Sequence, residues 1–189
     1  MAILFLILEI LALIILLIVF VLLCIWMLTG YRSGVPFVSV PSSILKDIHE
    51  ILNIKKDSVV YDLGCGDGRI LFHSASRVPE AQYIGIENTP LPLMLARISS
   101  WWQNKNNKTK VQILNKDFFD HDLSKATHVI AYLYPNVMDD LLTKFDRELA
   151  PGTLLISVSF RFTQKQPKAT FDLSRGKYSL ARELYLYEF

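Results

Sequence analysis

The sequence predicts an α/β fold in which a mostly parallel sheet with an antiparallel edge follows a single transmembrane helix. Three observations predict it: an uninterrupted apolar run at the beginning, alternating strand-like and helix-like segments from residue 42 onward, and two final strand-like segments with no helix between them. Such alternation is typical of a parallel sheet with helices on both faces, and the final pair predicts an antiparallel hairpin.

The apolar run from Ile3 to Leu28 contains one charge, Glu9, and neither proline nor glycine. As a helix it spans roughly 39 Å at about 1.5 Å per residue, which exceeds the roughly 30 Å hydrocarbon core of a bilayer. It lacks the basic start and the small-residue cleavage site of a signal peptide, and it is apolar on every face. We therefore expect residues 1–30 to be a membrane anchor.

Residues 31–43 read as a linker or pre-core segment rich in glycine and proline, and residues 44–189 as one folded domain with a core of its own. The only positive charge before the apolar run is the α-amino group, whereas Arg32 and Lys46 follow it. The positive-inside rule therefore predicts a single-pass membrane protein whose folded domain faces the cytoplasm.

Composition argues against several classes of partner. The net charge is +2 and no dense Lys/Arg stripe occurs, so nucleic acid is not expected as a partner. Cys24 lies in the apolar run and Cys65 in a glycine loop, so we expect no disulfide and a reducing compartment. The four histidines have no metal-ligand spacing, and we therefore predict no metal site.

The folded domain begins with a helix that Ser42 or Ser43 can cap, with an apolar face at every third or fourth residue. A buried-strand pattern follows at 58–63 and a helix at 69–77. The later segments continue the alternation: strand 83–87, helix 90–102, strands 111–116 and 127–134, helix 138–149, strand 153–160, and the hairpin strands 169–173 and 180–188. Ligands of such sheets bind beyond the carboxyl ends of the strands.

The strongest motif is the run Asp62-Leu-Gly64-Cys-Gly66-Asp67-Gly68, which follows a strand and opens a helix. Glycines there let the backbone turn sharply and approach a ligand closely. The G-x-G-x-G spacing is shorter than that of dinucleotide loops. Asp62 and Asp67 would repel a pyrophosphate, whereas a ligand that carries an ammonium group would be attracted.

Acids also end the next two strands. Glu87 can accept hydrogen bonds from both hydroxyls of a ribose, and Asn88 follows it. Asp117 can accept from an adenine amino group while the neighbouring Phe118 packs on the ring. Phe119 is equally compatible with an ordinary core position.

The segment Tyr132-Leu-Tyr134-Pro-Asn136 ends the fourth strand, where a substrate would approach. Tyr132 is compatible with a packed strand position, whereas Tyr134 and Asn136 lie nearer the end of the strand. We therefore take Tyr134 and Asn136 as candidate catalytic residues on the substrate side.

Together, these residues resemble the first three motifs of class I S-adenosylmethionine-dependent methyltransferases. The resemblance covers roughly residues 42–189, and it implies a Rossmann-like, seven-stranded sheet and S-adenosyl-L-methionine as the cofactor. It assigns Asp62, Gly64 and Gly66 to the methionine portion of the cofactor, Glu87 to its ribose and Asp117 to its adenine. The full set of expected cofactor-binding residues is Asp62, Gly64, Cys65, Gly66, Gly68, Glu87, Asn88, Asp117 and Phe118.

A narrower resemblance is carried by three segments: the N-terminal apolar helix, the segment 34–43 and the run 62–70. It is to the membrane-anchored protein lysine methyltransferases whose animal members modify the c subunit of ATP synthase and the adenine nucleotide translocase. In that family the segment before the core belongs to the active region. The resemblance implies a protein lysine N-methyltransferase with a membrane-associated protein substrate. Two alternatives stay open: a methyltransferase for a lipid or quinone-like small molecule, and a non-catalytic cofactor-binding protein.

Overall fold

The computed structural model describes residues 1–33, 38–107, 109–173 and 183–189. The chain divides into two compact units, Met1–Phe37 and Val38–Phe189. The first unit contains the helix α1 (Ala2–Ser33). Its stretch Ile3–Cys24 is apolar enough and long enough to cross a bilayer, by length and composition alone.

The second unit contains four helices and seven strands among the described residues. A 3₁₀ turn (Ser42–Ile44) precedes them. The helices are α2 (Leu45–Leu52), α3 (Arg69–Ala75), α4 (Pro90–Asn107) and α5 (Pro135–Glu148). The strands are β1 (Val59–Leu63), β2 (Gln82–Ile86), β3 (Lys110–Leu114), β4 (His128–Ala131), β5 (Leu154–Val158), β6 (Ala169–Asp172) and β7 (Glu183–Glu188).

The strands form one seven-stranded sheet in the order β3-β2-β1-β4-β5-β7-β6. The first five strands pair in parallel, and β7 pairs antiparallel with both β5 and β6. The predicted mostly parallel sheet with an antiparallel edge is therefore confirmed. The order reverses between β1 and β4, and open α/β sheets bind ligands at such a reversal.

Apolar side chains cover both faces of the sheet. Residues of α2, α3 and α4 pack on one face, where Ile48, Leu71 and Tyr83 are fully buried. Residues of α5 pack on the other, where Met138 and Phe145 are fully buried. Burial of one such side chain stabilises the fold by about 1.5–3 kcal/mol, so these two layers fix the sheet that carries the strand ends.

Several element boundaries differ from the expected ones. The strand expected at 127–134 ends at Ala131, because Tyr134 caps α5 and Pro135 occupies its first turn. The strand expected at 153–160 ends at Val158. The helix expected at 90–102 continues to Asn107. Part of the segment expected as the last strand, residues 180–182, lies outside the described residues.

Gly85 on β2 leaves space for the side chain of Cys65. A Cβ atom at Gly85 would lie 2.6 Å from Cys65 Sγ and 2.9 Å from Ile113 Cδ1. Real Cβ atoms do not approach other atoms this closely, so the glycine is required by packing. Cys65 is buried in the resulting notch, which connects the glycine loop to the core.

We expect Gly85→Ala to lower the free energy of unfolding by about 1–3 kcal/mol, because the added methyl group overpacks the notch. Urea denaturation of the detergent-solubilised chain, followed by circular dichroism, measures the change. Adding Cys65→Ala to Gly85→Ala should recover part of the loss, since it removes the atom in closest contact. An equal loss with and without Cys65 Sγ would contradict this packing argument.

Candidate active site

The expected site residues lie at or shortly after the carboxyl ends of the parallel strands. Asp62 of β1 is level with Gly85 of β2 and with Ile130 of β4. Leu133, which follows β4, packs against the glycine loop: its Cδ2 atom is 3.1 Å from the position that a Cβ of Gly64 would take. The segment after β4 therefore borders the loop after β1, as the expected topology requires.

The loop after β1 has a left-handed backbone at three glycines. Gly64, Gly66 and Gly68 have φ angles of 70°, 59° and 79°, a region that residues with a Cβ rarely adopt. The N–H groups of Gly64 and Cys65 both donate to the carbonyl oxygen of Ile86, at 2.9 and 3.1 Å. The loop is thus tied to the end of β2.

Glu87 connects the same loop to the start of the next helix. It is buried, with 7% of its surface exposed. Its Oε2 atom accepts from the N–H of Gly66 at 2.9 Å, and its Oε1 atom accepts from the N–H of Thr89 at 2.7 Å. A carboxylate oxygen can accept more than one hydrogen bond, so Glu87 can hold the loop and still receive a ribose hydroxyl. Its contact with ribose stays a prediction.

The carboxyl group of Asp62 is in an unusual electrostatic environment. It is buried, and within the described part of the chain its Oδ2 atom has no hydrogen-bond partner. Burial, and then the charges of Glu87 and Asp67, raise the pKa of Asp62 to about 8. A buried, unpartnered carboxylate is costly unless a cation or donor meets it. The site therefore fits a ligand that carries an ammonium group.

Asp67 differs from Asp62 because it has a partner. Its carboxylate accepts from Arg69, with 2.6 Å between Oδ2 and Nη2. Arg69 also donates from Nη1 to the carbonyl oxygen of Val40 at 3.1 Å. Val40 is buried, so the described end of the pre-core segment is fixed beside the glycine loop. Residues 34–37 are the first part of the segment 34–43 that carries the narrower resemblance, and they lie outside the described residues.

Two of the expected loop residues have clear packing roles. The Cys65 side chain is buried against the core, and burial raises the pKa of its thiol, so only its backbone remains for a ligand. A Cβ at Gly68 would lie 2.6 Å from the ring of Phe72, so the first turn of α3 already requires glycine there. Their contact with a cofactor stays a prediction.

The adenine side is more open than the glycine loop. Asp117 is exposed, and its Oδ1 atom accepts from the N–H of Phe119 at 2.9 Å. Phe118 is partly buried and packs against the core, whereas Phe119 is 40% exposed, so the core position considered for Phe119 was wrong. Asn88 is exposed and, with Asn115, lines a groove of about 350 Å³ beside α4.

Three aromatic rings stack at the ends of β4 and β5. The ring of Phe160 lies 5.7 Å from that of Tyr134 and 6.3 Å from that of Tyr132, both nearly parallel to it. Burial raises the pKa of Tyr132. Asn136 is exposed in the first turn of α5. The sequence reasoning missed Phe160 because it placed this residue inside a strand, although the strand-end rule applied to β5 as well.

Comparison with known proteins gives consistent matches. Residues 62–169 match the family described as the ANTKMT methyltransferase domain. A protein-lysine N-methyltransferase of Saccharolobus islandicus is 34% identical over 161 residues, which is 84% of this chain and 96% of that protein. The crystal structure of an RNA methyltransferase from Salinibacter ruber with S-adenosyl-L-homocysteine superposes with a TM-score of 0.71, at 30% identity, over 80% of this chain and 93% of that one.

Animal relatives match over a smaller share of their own length. The human lysine N-methyltransferase of the ATP synthase c subunit is 27% identical over 70% of this chain and 54% of that protein. The mouse adenine nucleotide translocase lysine N-methyltransferase is 29% identical over 73% of this chain and 58% of that protein. The chain thus spans a little over half of these two relatives. Together the matches identify S-adenosyl-L-methionine as the cofactor.

The raised pKa of Asp62 predicts a proton-linked cofactor affinity. At pH 7 most of this carboxyl is protonated in the free protein, and a bound ammonium group favours the ionised form. Binding of S-adenosyl-L-homocysteine should therefore release close to one proton, and its affinity should rise by up to about tenfold per pH unit between pH 6 and 8. Calorimetric titration in buffers of different ionisation enthalpy measures both.

Two variants make the measurement specific. Asp62→Asn should bind more weakly and release no proton, whereas Asp67→Asn should keep the proton release. Wild-type protein with equal affinity at pH 6 and pH 8 would contradict the assignment of this proton to Asp62.

Proposed function

The chain belongs to the ANTKMT methyltransferase family, and on this basis we propose that it is a protein-lysine N-methyltransferase that acts on a membrane-associated protein. The observation that carries the proposal is the buried, unpartnered carboxylate of Asp62 beside an aromatic-lined strand end. The first binds the cationic cofactor, and the second receives a long amine side chain. The match to a protein-lysine N-methyltransferase over most of both chains supports lysine as the acceptor.

The cofactor assignments follow the geometry around the glycine loop. Asp62 would accept a hydrogen bond from the ammonium group of the cofactor, because that group supplies the positive charge that the buried carboxylate needs as a partner. Glu87 would hold the ribose, and Asn88, Asp117 and Phe118 would border the adenine. Gly64, Cys65, Gly66 and Gly68 would contribute backbone to the methionine side. When bound, S-adenosyl-L-methionine supplies a methyl group on a positively charged sulfur.

The substrate side has to deliver a neutral amine. Lysine has an ordinary pKa near 10.4, and the stacked rings of Tyr132, Tyr134 and Phe160 would exclude water and so lower it. The hydroxyl of Tyr134 and the amide oxygen of Asn136 would accept hydrogen bonds from the amine and orient its lone pair. Orientation in a dry site contributes much of the rate in such a displacement.

The membrane part of the proposal depends on α1. Its stretch Ile3–Cys24 has the length and composition of a single membrane span, and Arg32 after it favours a cytoplasmic folded unit. Chain connectivity limits the distance, since only a few residues separate Ser33, where α1 ends, from Val38, where the folded unit begins. The folded unit would therefore act close to the bilayer. Two relatives are named for the c subunit of ATP synthase and for adenine nucleotide translocase.

The proposed function is tested by incubating the full chain with methyl-labelled S-adenosyl-L-methionine and native membranes. We expect label in a protein band, and methylated lysine after hydrolysis of that band. Asp62→Asn is the matched control and should label nothing, because it lacks the charge that holds the cofactor. Label in the lipid extract would favour a lipid or quinone-like substrate, and label in RNA would favour a nucleic-acid substrate. The absence of label in every fraction would favour a non-catalytic cofactor-binding protein.

The substrate-side assignment gives a separate prediction. Tyr134→Ala and Asn136→Ala should each lower the initial rate of protein labelling by about tenfold or more, since the amine loses an orienting contact. The affinity for S-adenosyl-L-homocysteine should stay unchanged in calorimetric titration. Asp140→Asn, exposed on the same helix, is the control and should label at the normal rate. Normal labelling by both alanine variants would remove these residues from the site.

A further inference from the structure

The outward face of α4 is apolar. Its large side chains lie at helical spacing and are exposed to solvent, Ile98, Trp101 and Trp102 by 59%, 62% and 61%. At about 100° per residue they fall within an arc of about 120°. We call this set the apolar face of α4; its members are Leu91, Met94, Leu95, Ile98, Trp101 and Trp102.

The inward side of the same helix carries Leu93 and Ala96 of the core and, toward its end, polar side chains that bond to the protein. Ser100 is buried and donates from Oγ to the carbonyl oxygen of Val111 at 2.8 Å. Asn104 donates to that carbonyl at 2.7 Å and accepts from the N–H of Val111 at 3.1 Å. Thr109 donates to Asn104 at 2.8 Å. These bonds to β3 fix the rotation of the helix, so its apolar face is turned outward by specific contacts.

The charges around this face are positive. Helix α4 contains no aspartate or glutamate, and Arg97 and Lys105 are both exposed on it. The Nζ atom of Lys105 lies 5.2 Å from the centre of the Trp101 ring, a cation–π contact. Exposed tryptophans beside lysine and arginine are typical of a helix at the interface of a bilayer, where the rings lie at headgroup level and the cations meet anionic lipid.

We propose that the apolar face of α4 binds the surface of a bilayer that contains anionic lipid. The occupant is lipid because the face combines tryptophan, aliphatic side chains and cations in one stripe roughly 21 Å long. The membrane anchor α1 would also keep the folded unit at a bilayer. In this respect the inference rests on the proposed function.

The position of α4 gives this contact a consequence for the active site. Pro90, the first residue of α4, follows Glu87 by three residues, and Asn88 lines a groove together with Met94 and Ile98 of the apolar face. A bilayer against α4 therefore holds the open, adenine-side mouth of the site beside the membrane. The contact would set the orientation of the folded unit on the membrane surface.

Fluorescence of the two tryptophans tests the contact. The chain contains three tryptophans, so Trp26→Phe leaves Trp101 and Trp102 as the only indoles. The full chain with this change is reconstituted in vesicles of anionic and zwitterionic phospholipid, with and without bromine on the acyl chains near the headgroup. We expect brominated lipid to reduce the emission by about half, because both rings lie at the interface.

A second variant serves as the matched control. It carries Trp26→Phe, Trp101→Phe, Trp102→Phe and Gln166→Trp. Gln166 is exposed just before β6, at the opposite edge of the sheet from β3. Its indole should not be quenched. Replacing Arg97 and Lys105 by Gln should weaken the quenching of Trp101 and Trp102 in anionic vesicles.

The outcomes separate this inference from the function on which it rests. Quenched indoles on α4 with an unquenched control support the contact. Unquenched α4 indoles in a chain that sediments with the vesicles overturn the contact and leave methyl transfer to lysine unaffected. A chain that stays in the supernatant overturns both the contact and the membrane anchor, while labelling of protein still decides the methyl transfer.

Discussion

The geometry of the site depends on the buried carboxylate of Glu87. One oxygen holds the N–H of Gly66 and the other the N–H of Thr89, so a single side chain joins the glycine loop to the beginning of α4. Because a hydrogen bond to a charged group contributes about 1.5–3 kcal/mol, these two bonds fix a backbone that three left-handed glycines would otherwise leave variable. The same carboxylate is also the residue expected to meet the ribose. On the proposed assignment, cofactor recognition and loop structure are coupled, and a substitution of Glu87 would act on both.

The sequence predicted the site where its signals are local. The glycine loop and Glu87 were identified because their spacing and their places at strand ends are visible in a single chain. The hydrogen bond from Gly66 to Glu87 was not identified from the sequence, since this contact forms only after β1 and β2 pair. Phe160 was missed for a similar reason: it turns out of β5 at Ser159, whose φ is 66° and whose N–H donates to the carbonyl oxygen of Glu183 on β7. For α4 the sequence predicted a helix, but a helical pattern alone does not tell which side faces the protein.

Two features of the folded unit lack a complementary partner among the described residues. One is the carboxylate of Asp62, which is out of water and unpartnered among the described residues, and the other is the apolar face of α4. Each lowers the stability of the isolated chain, the first through burial of a carboxyl group without a hydrogen-bond partner and the second through exposed apolar area. A cationic cofactor would complement the first, and the proposed lipid surface would cover the second. Proteins often accept such local costs at binding sites, because the partner then contributes stability when it binds.

The position of β7 affects how the chain is made. This strand follows every other described strand in the sequence, yet it lies between β5 and β6 in the sheet. While the ribosome is still adding the residues that precede it, β5 has an unpaired edge and β6 has no neighbour. Synthesis proceeds at roughly 5–20 residues per second, so about 8–30 seconds separate the emergence of α1 from that of β7. During that interval the apolar helix has already emerged while the sheet is still open. The unpaired edge of β5 is therefore open to non-native strand pairing until β7 emerges.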